Sequence, residues 1–400
     1  LGVGEKPGTI DAKVTVTDES PLRYHITADN TGTSTTGRHR LGVSVQHANL
    51  FDRDHTATLS YITSPDKPDG TQVSIYSLGY RVPLYGFGDS VDFFYANSNT
   101  STPASTLTLG AFQSLSGRGN VAGMRWNHHF ARRGEYTSKF IAGLEYKDIE
   151  AICKDANGVR VPFGTSAGCT PYTVRPLSFT YVGNLASPSL GADFQASFVH
   201  NLPTGKRYAY TAADGATGSD RYSLVATNRK TQDHFSLLRL GGSVSKPLFQ
   251  DWIARVAINA QTSFGKPLVG AEQIGLAGAM AVRGFHERVI ASDAGIVLNL
   301  ELYGPNMAGH LGLPGTLQPL VFYDRGRGWS YDSPDGGTVS TLVQDIESVG
   351  VGLRYQHKKD VSFRFDVANA LLAGSASSIT GPMYTAHKDW RGHFSLAIGF

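Results

Sequence analysis

The 400-residue sequence predicts an all-β fold, a transmembrane antiparallel β-barrel of about sixteen strands with one long surface loop folded back inside. Three observations predict it. Apolar and polar residues alternate with period two along many segments. Short and long connections alternate between those segments. The chain also closes on an alternating apolar strand whose last residue is Phe400.

The alternation is visible in Leu22–Asp29 and Leu41–Gln46, and is clearest in the later segments. Trp252, Ala254, Val256 and Ile258 fall on one face of a strand, with Arg255, Asn259 and Gln261 on the other; Val361–Val367 alternates without a break. A face this apolar needs cover. A soluble sandwich would supply it with a second sheet, whose matching turns are not found here. The bilayer is the simpler cover. A helical membrane protein is excluded, because it needs runs of roughly 18 or more apolar residues. The longest apolar stretches, such as Leu276–Val282, fall far short. A barrel hides half of each strand from lipid, which fits a hydrophobic content of only 40% and a mean hydropathy of −0.18.

The connections come in two lengths. Short ones are Phe51–Asp54, Ala131–Gly134, Gln250–Asp251 and Lys358–Asp360. Long Gly/Ser/Thr-rich ones follow Ser98, surround Cys153 and Cys169, and occupy 201–233, 266–293, 330–341 and 373–387. Outer-membrane barrels pair short periplasmic turns with long surface loops, so the rhythm predicts an even strand count with both ends in the periplasm. In the last strand Phe394, Leu396, Ile398 and Phe400 share one face, a lipid-facing row with an aromatic anchor at its periplasmic end.

A net charge of +3, with no Lys/Arg stripe interleaved with aromatics, points to no nucleic-acid partner. No cofactor or metal motif is present. His128 and His129 are adjacent strand residues and so face opposite ways, and Ser219-Asp220 lies in a turn-rich loop without need of a catalytic role. No catalytic cluster is found, so an enzyme is not predicted. Cys153 and Cys169 flank a polar segment. In an oxidising compartment a bridge between them would constrain the unfolded chain by about 3 kcal/mol; the alternative is two unpaired thiols, and the scarcity of cysteine favours the bridge. No signal peptide stands at Leu1, so the export signal is expected upstream in a longer precursor.

The connection from Lys266 to Asp293 departs from the pattern. By the turn rhythm it starts on the cell surface, yet Leu276, Ala277, Ala279, Met280 and Val282 make it largely apolar, as suits a loop folded into the barrel. Gly284 permits a tight bend just after Arg283, which would present the guanidinium at a tip. Along Val321–Gly326, Phe322, Asp324 and Gly326 share one face. A carboxylate is costly against lipid, so that face should be the lumenal one.

Val282-Arg283-Gly284-Phe285 matches the Val-Arg-Gly-Phe/Tyr tetrad of the superfamily that contains the two-partner secretion transporters (TpsB, the haemolysin secretion/activation proteins) and the outer-membrane assembly proteins. Phe322-Tyr323-Asp324-Arg325-Gly326 resembles that family's Phe-x-Asp-x-Gly strand motif, and Asn299–Leu302 followed by Pro305 looks like the strand before it. The segment Gly8–Asp11 through Pro21 looks like the last strand of a periplasmic POTRA domain, which divides the chain into 1–20, the end of that domain, and 21–400, the barrel. The terminal row ending in Phe400 resembles the signal read by the barrel-assembly machinery.

The resemblance implies that Asp324 receives Arg283. Such a contact is worth up to about 4 kcal/mol before entropy and desolvation at a dielectric near 20, and roughly 1–3 kcal/mol net in a hydrated lumen. It implies export of one dedicated large exoprotein, a haemolysin, adhesin or contact-dependent inhibition toxin, from periplasm to surface. The expected surroundings are outer-membrane lipid and lipopolysaccharide, with the assembly machinery as partner during insertion. An assembly or insertase barrel of the same superfamily, or a passive porin, is the alternative. Arg364 and Asp366 are expected to line a wet lumen, and Glu287 and Arg288 either to extend the loop-to-wall contacts or to be solvated.

Overall fold

In the computed structural model the described residues are 2–3, 10–11, 20–33, 36–68, 72–99, 118–150, 171–204, 208–211, 217–219, 231–332, 340–378 and 384–400. Sixteen antiparallel strands close into one barrel. They are β1 (Leu22–Asp29), β2 (Arg40–Leu50), β3 (His55–Thr63), β4 (Ser74–Leu84), β5 (Asp89–Ser98), β6 (Arg118–His129), β7 (Tyr136–Glu150), β8 (Tyr172–Val174 continued by Pro176–Ala186) and β9 (Gly191–Asn201). The circuit continues with β10 (Ser236–Pro247), β11 (Ile253–Thr262), β12 (Ala294–Tyr303), β13 (Thr316–Asp332), β14 (Ser340–His357), β15 (Val361–Leu372) and β16 (Trp390–Gly399). Both runs of β8 keep one register against β7, Tyr172 opposite Ile149 and Leu177 opposite Leu144, so they are a single strand interrupted at Arg175.

Each strand pairs with its sequence neighbours, and β16 pairs back onto β1. Ladder lengths differ. β13 and β14 share a register from Thr316–Gln356 to Asp332–Ser340, whereas the seam runs only from Ser395–Asp29 to Gly399–His25. Side chains reinforce that seam. Tyr24 and Phe400 exchange backbone hydrogen bonds at 2.9 and 3.0 Å and stack with ring centroids 5.8 Å apart, while Asn30 bonds the backbone of Gly392 and Phe394. A closed ladder satisfies every strand edge, which the bilayer interior demands.

The alternation read from the sequence becomes an outside and an inside. Val43, Leu59, Val256, Ile258, Val321, Val351 and Ile398 are exposed on the outer wall, where lipid covers them. Their strand neighbours Ser44, Ser60, Ala257 and Phe322 are buried within. Among the described residues no helix is long and apolar enough to cross a membrane; the crossing is made by strands.

Among the described residues the apolar interior is divided into four clusters rather than one core, and two of them include the connection between β11 and β12. Phe94, Val121, Ile149, Val174, Val199 and Leu237 of the β5–β10 wall pack with Leu268, Val269 and Ala271. Val297, Ile346 and Ala370 of the β12–β15 wall pack with Leu276, Ala277, Val282, Phe285 and Ile290. Residues 268–290 all belong to the connection between β11 and β12, which therefore lies inside the barrel and touches two different walls.

Candidate functional site

The inward loop leaves β11 through a turn at Phe264 and Gly265, both at positive φ, and makes a short 3-10 turn at Gly270–Glu272. A two-residue ladder, Ile274–Gly275 with Ala291–Ser292, forms its neck. Beyond the neck the tip is tied to itself. Ala277 bridges Val282, Val282 N–H donates to Leu276 C=O at 3.0 Å, and Arg288 N–H donates to Ala277 C=O at 3.0 Å. The carboxylate of Glu287 accepts the Ala279 N–H at 2.6 Å. At the lowest point Met280 is 57% exposed to the lumen and its sulfur receives Arg364 at 3.7 Å.

Arg283 is the centre of the site. Its Nε and Nη2 donate to the two oxygens of Asp324, both at 2.7 Å, and its backbone N–H donates to the same carboxylate at 3.1 Å. This is the fork-to-fork geometry that makes Arg–carboxylate pairs strong. Nη1 donates to Glu301 of β12 at 2.8 Å, and Asp366 of β15 stands at 3.6 Å. The guanidinium also lies 3.5 Å from the centroid of the Phe322 ring, a cation–π contact from the strand that carries Asp324. Burial alone would lower the pKa of this Arg, but hydrogen bonding and charge from Asp324, then Glu301 and Asp366, more than reverse that, and it is raised above its ordinary value. The cation is permanent.

The wall is prepared for the loop. Asn299 donates to Asp324 at 2.8 Å and to the Ala281 carbonyl at 2.8 Å, fixing carboxylate and loop together. Glu301 is held by Arg255 at 2.8 Å and by the Tyr303 hydroxyl at 2.9 Å, and Asp366 by Arg354 at 2.8 Å. Gly284 sits at φ +92°, a left-handed conformation that a side chain resists, and its N–H donates to Nε2 of His393 on β16 at 3.0 Å. A Cβ on Gly326 would stand 2.9 Å from Val282, so the bare glycine is the recess that receives the loop.

Several of these features were not assigned from the sequence. Glu301, Asn299, Asp366 and His393 all act on the loop, although their inward parity on β12, β15 and β16 was legible. Asp366 does not line open water: it is buried between Arg354 and Arg283. Glu287 and Arg288 are not simply solvated: Glu287 accepts the loop's own Ala279 N–H, and Arg288 donates to the loop's own Gly270 and Gln273 carbonyls. Nor is the pair hydrated. The Arg283 side chain is 4% exposed and that of Asp324 fully buried, because Phe322, Val282 and Phe285 shut water out. His128 points outward, bonded to Asp89 at 2.9 Å. Phe394, Leu396 and Ile398 lie on the outer parity of β16, opposite His393. Cys153 and Cys169 lie outside the described residues.

A second clasp holds the first part of the loop. Glu272, with no exposed side-chain surface, accepts from Lys147 of β7 at 2.8 Å and Arg239 of β10 at 2.9 Å. Among the described residues no group of three or more His, Cys, Asp and Glu side chains is placed to hold a metal ion.

The family model of the haemolysin secretion/activation proteins ShlB, FhaC and HecB matches residues 8–161 and 187–355. The chain belongs to that family. It is an integral outer-membrane barrel, and this family's work is secretion rather than catalysis. Solved structures agree on the fold. CdiB from Escherichia coli superposes with a TM-score of 0.65 at 19% identity, covering 96% of this chain and 64% of that one. CdiB from Acinetobacter baumannii gives 0.63 at 16% identity, over 95% and 60% of the two chains. BamA from Haemophilus ducreyi lacking POTRA domains 1–3 gives 0.56 at 14%, over 95% and 70%. The chain thus spans less than two thirds of the length of either CdiB protein. No curated protein sequence matches it.

Proposed function

We propose that this secretion-family barrel is the outer-membrane conduit of a two-partner system, passing one dedicated large exoprotein, a haemolysin, adhesin or contact-dependent inhibition toxin, from periplasm to surface. One observation carries the reading: a loop that enters the lumen from the cell-surface side and places Arg283 against Asp324, Glu301 and Asp366. A passive porin has no need of an interior loop gripped by three carboxylates. The outer membrane offers no ATP, so export is driven by capture of an unfolded chain and by its folding outside. In this reading the loop obstructs or organises the conduit, and release of the clasp accompanies passage. Residues 1–20 are proposed as the end of a periplasmic POTRA domain, and Phe400 with its row as the signal for the barrel-assembly machinery.

Arg283→Ala is the test. The variant should insert, shown by heat-modifiable migration on gels, and should export its partner poorly. Normal export from an inserted variant would sink the proposal. Membrane-protein insertion failing in its place would favour the assembly-barrel alternative, which the likeness to BamA keeps in view. For the proposed Cys153–Cys169 bridge, mass spectrometry of unreduced protein should find no alkylatable thiol; two would refute it.

A further inference from the structure

A vestibule of about 440 Å³ occupies the lumen away from the Arg283 clasp. It runs along the inner wall of β2–β9, in its periplasmic half, and reaches up to Lys147 and Arg239, directly under Glu272 of the loop. Five cations line it, Arg81, Arg125, Lys139, Lys147 and Arg239, against two carboxylates, Asp92 and Glu145. Arg81 grips Asp92 at 2.6 and 3.0 Å, and Arg125 holds Glu145 at 2.6 Å. Glu272 supplies a third carboxylate, shared by Lys147 and Arg239. Among the described residues, five cations against three carboxylates leave an excess of two. Among the described residues no carboxylate stands within salt-bridge distance of Lys139. Arg81, although paired, keeps 55% of its side chain exposed, so the vestibule communicates with solvent. The remaining polar lining, such as Thr58, Asn127, Ser178 and Gln195, is neutral.

Glu272 shows what this wall accepts: a carboxylate on a short 3-10 turn of a connecting segment, inserted between two lumenal cations. Further toward the periplasmic end of the same vestibule, Lys139 and the exposed edge of Arg81 offer the same chemistry. Low-dielectric walls focus such a field and raise the local concentration of anions. We propose that the vestibule binds anions, its favoured ligand being carboxylates carried along an extended polypeptide; small oxyanions share the recognising groups. The inference deepens the secretion reading, but its test needs no exported partner, so either can fail alone.

The test is titration calorimetry of the purified full chain in detergent with a short Glu-Ser repeat peptide and its Lys-Ser counterpart. The acidic peptide should bind at least about tenfold more tightly at low ionic strength. That preference should vanish near 1 M salt, where the Debye length shrinks to about 3 Å. Lys139→Glu should weaken acidic-peptide binding about tenfold or more, and Lys139→Gln by less; heat-modifiable migration certifies each barrel as folded. Failure of the folded wild type to bind the acidic peptide, equal binding of the basic one, or indifference to Lys139→Glu would overturn the proposal. Inorganic phosphate at matched ionic strength separates the sources. Displacement of the peptide supports a small-anion site and resistance supports a polypeptide track, both within the anion class.

Discussion

The two halves of the inward loop solve the same problem with opposite charges. Residues 268–272 lie against the β5–β10 wall and are held by one carboxylate between two cations, Glu272 with Lys147 and Arg239. Residues 276–290 lie against the β12–β15 wall and are held by one guanidinium among three carboxylates, with a ring under it and a backbone N–H beside it. The first half is fastened by wall side chains. The second is also fastened to itself, through the Ala277–Val282 bridge and the Glu287–Ala279 bond, so it moves as a unit or not at all. The difference teaches that the loop is a strut across the lumen with unequal feet. The guanidinium of Arg283 engages three carboxylates at once, whereas Glu272 is a single carboxylate shared between Lys147 and Arg239, so the second clasp holds fewer opposite charges.

The comparison can be broken or sharpened by substitution. Asp324→Ala should have the largest effect, because it leaves Arg283 buried with only Glu301 and Asp366; losing one partner of a buried pair costs about 3–5 kcal/mol. Hydrogen exchange should show residues 276–290 losing protection while 268–272 keep theirs. Joint loss would mean the loop has one foot, not two. Next is Gly326→Val, which pushes side-chain atoms into Val282 and should displace the same half by about 1–3 kcal/mol of overpacking. Limited proteolysis of the loop reads it, and an unchanged digestion pattern would show that the recess is not needed. Glu272→Gln keeps an acceptor but removes the charge, for about 1–3 kcal/mol. Here 268–272 should exchange faster with 276–290 unmoved, the reverse of Asp324→Ala.

The smallest effect should be that of pH. Burial pushes the Glu287 carboxyl up to about 7, against the opposing Ala279 N–H, with Asp29 adding to the rise. A carboxyl whose folded pKa lies above its free value of 4.5 favours the docked tip when protonated. Its stabilisation is therefore complete below about pH 4.5 and is lost as the pH rises through about 7. Tip protection should increase on acidification from pH 8 to 6, and Glu287→Gln should flatten that dependence. A dependence that survives the substitution would assign it to another group.

Much of this was legible in the sequence, and for local reasons. Asp324 could be placed on the lumenal face because a strand's side chains alternate strictly and a carboxylate against lipid is costly. The interior position of 276–285 was legible because a surface loop has no use for Leu276, Ala277 and Val282 in succession. The acidic wall around Arg283 was not. Glu301 comes beside Asp324 because β12 and β13 set Asn299 opposite Asp324 and Glu301 opposite Phe322, and Asp366 arrives from two strands further on. The second clasp joins Glu272 to residues 125 and 33 positions away, a separation that no periodicity encodes.

By itself, then, the sequence determined which residues span, which face lipid, where the surface loops fall and which loop turns inward. These follow from a side-chain period of two and from the cost of burying polar groups in hydrocarbon, both readable residue by residue. Only the tertiary structure decided which charges meet inside. Closing the barrel brings residues far apart in sequence to one lumenal level, and there exclusion of water turns the expected moist contact between Arg283 and Asp324 into a dry clasp. The same closure sets Lys139 among Arg81, Asp92 and Arg125 on one lumenal wall, with no carboxylate within salt-bridge distance of it among the described residues.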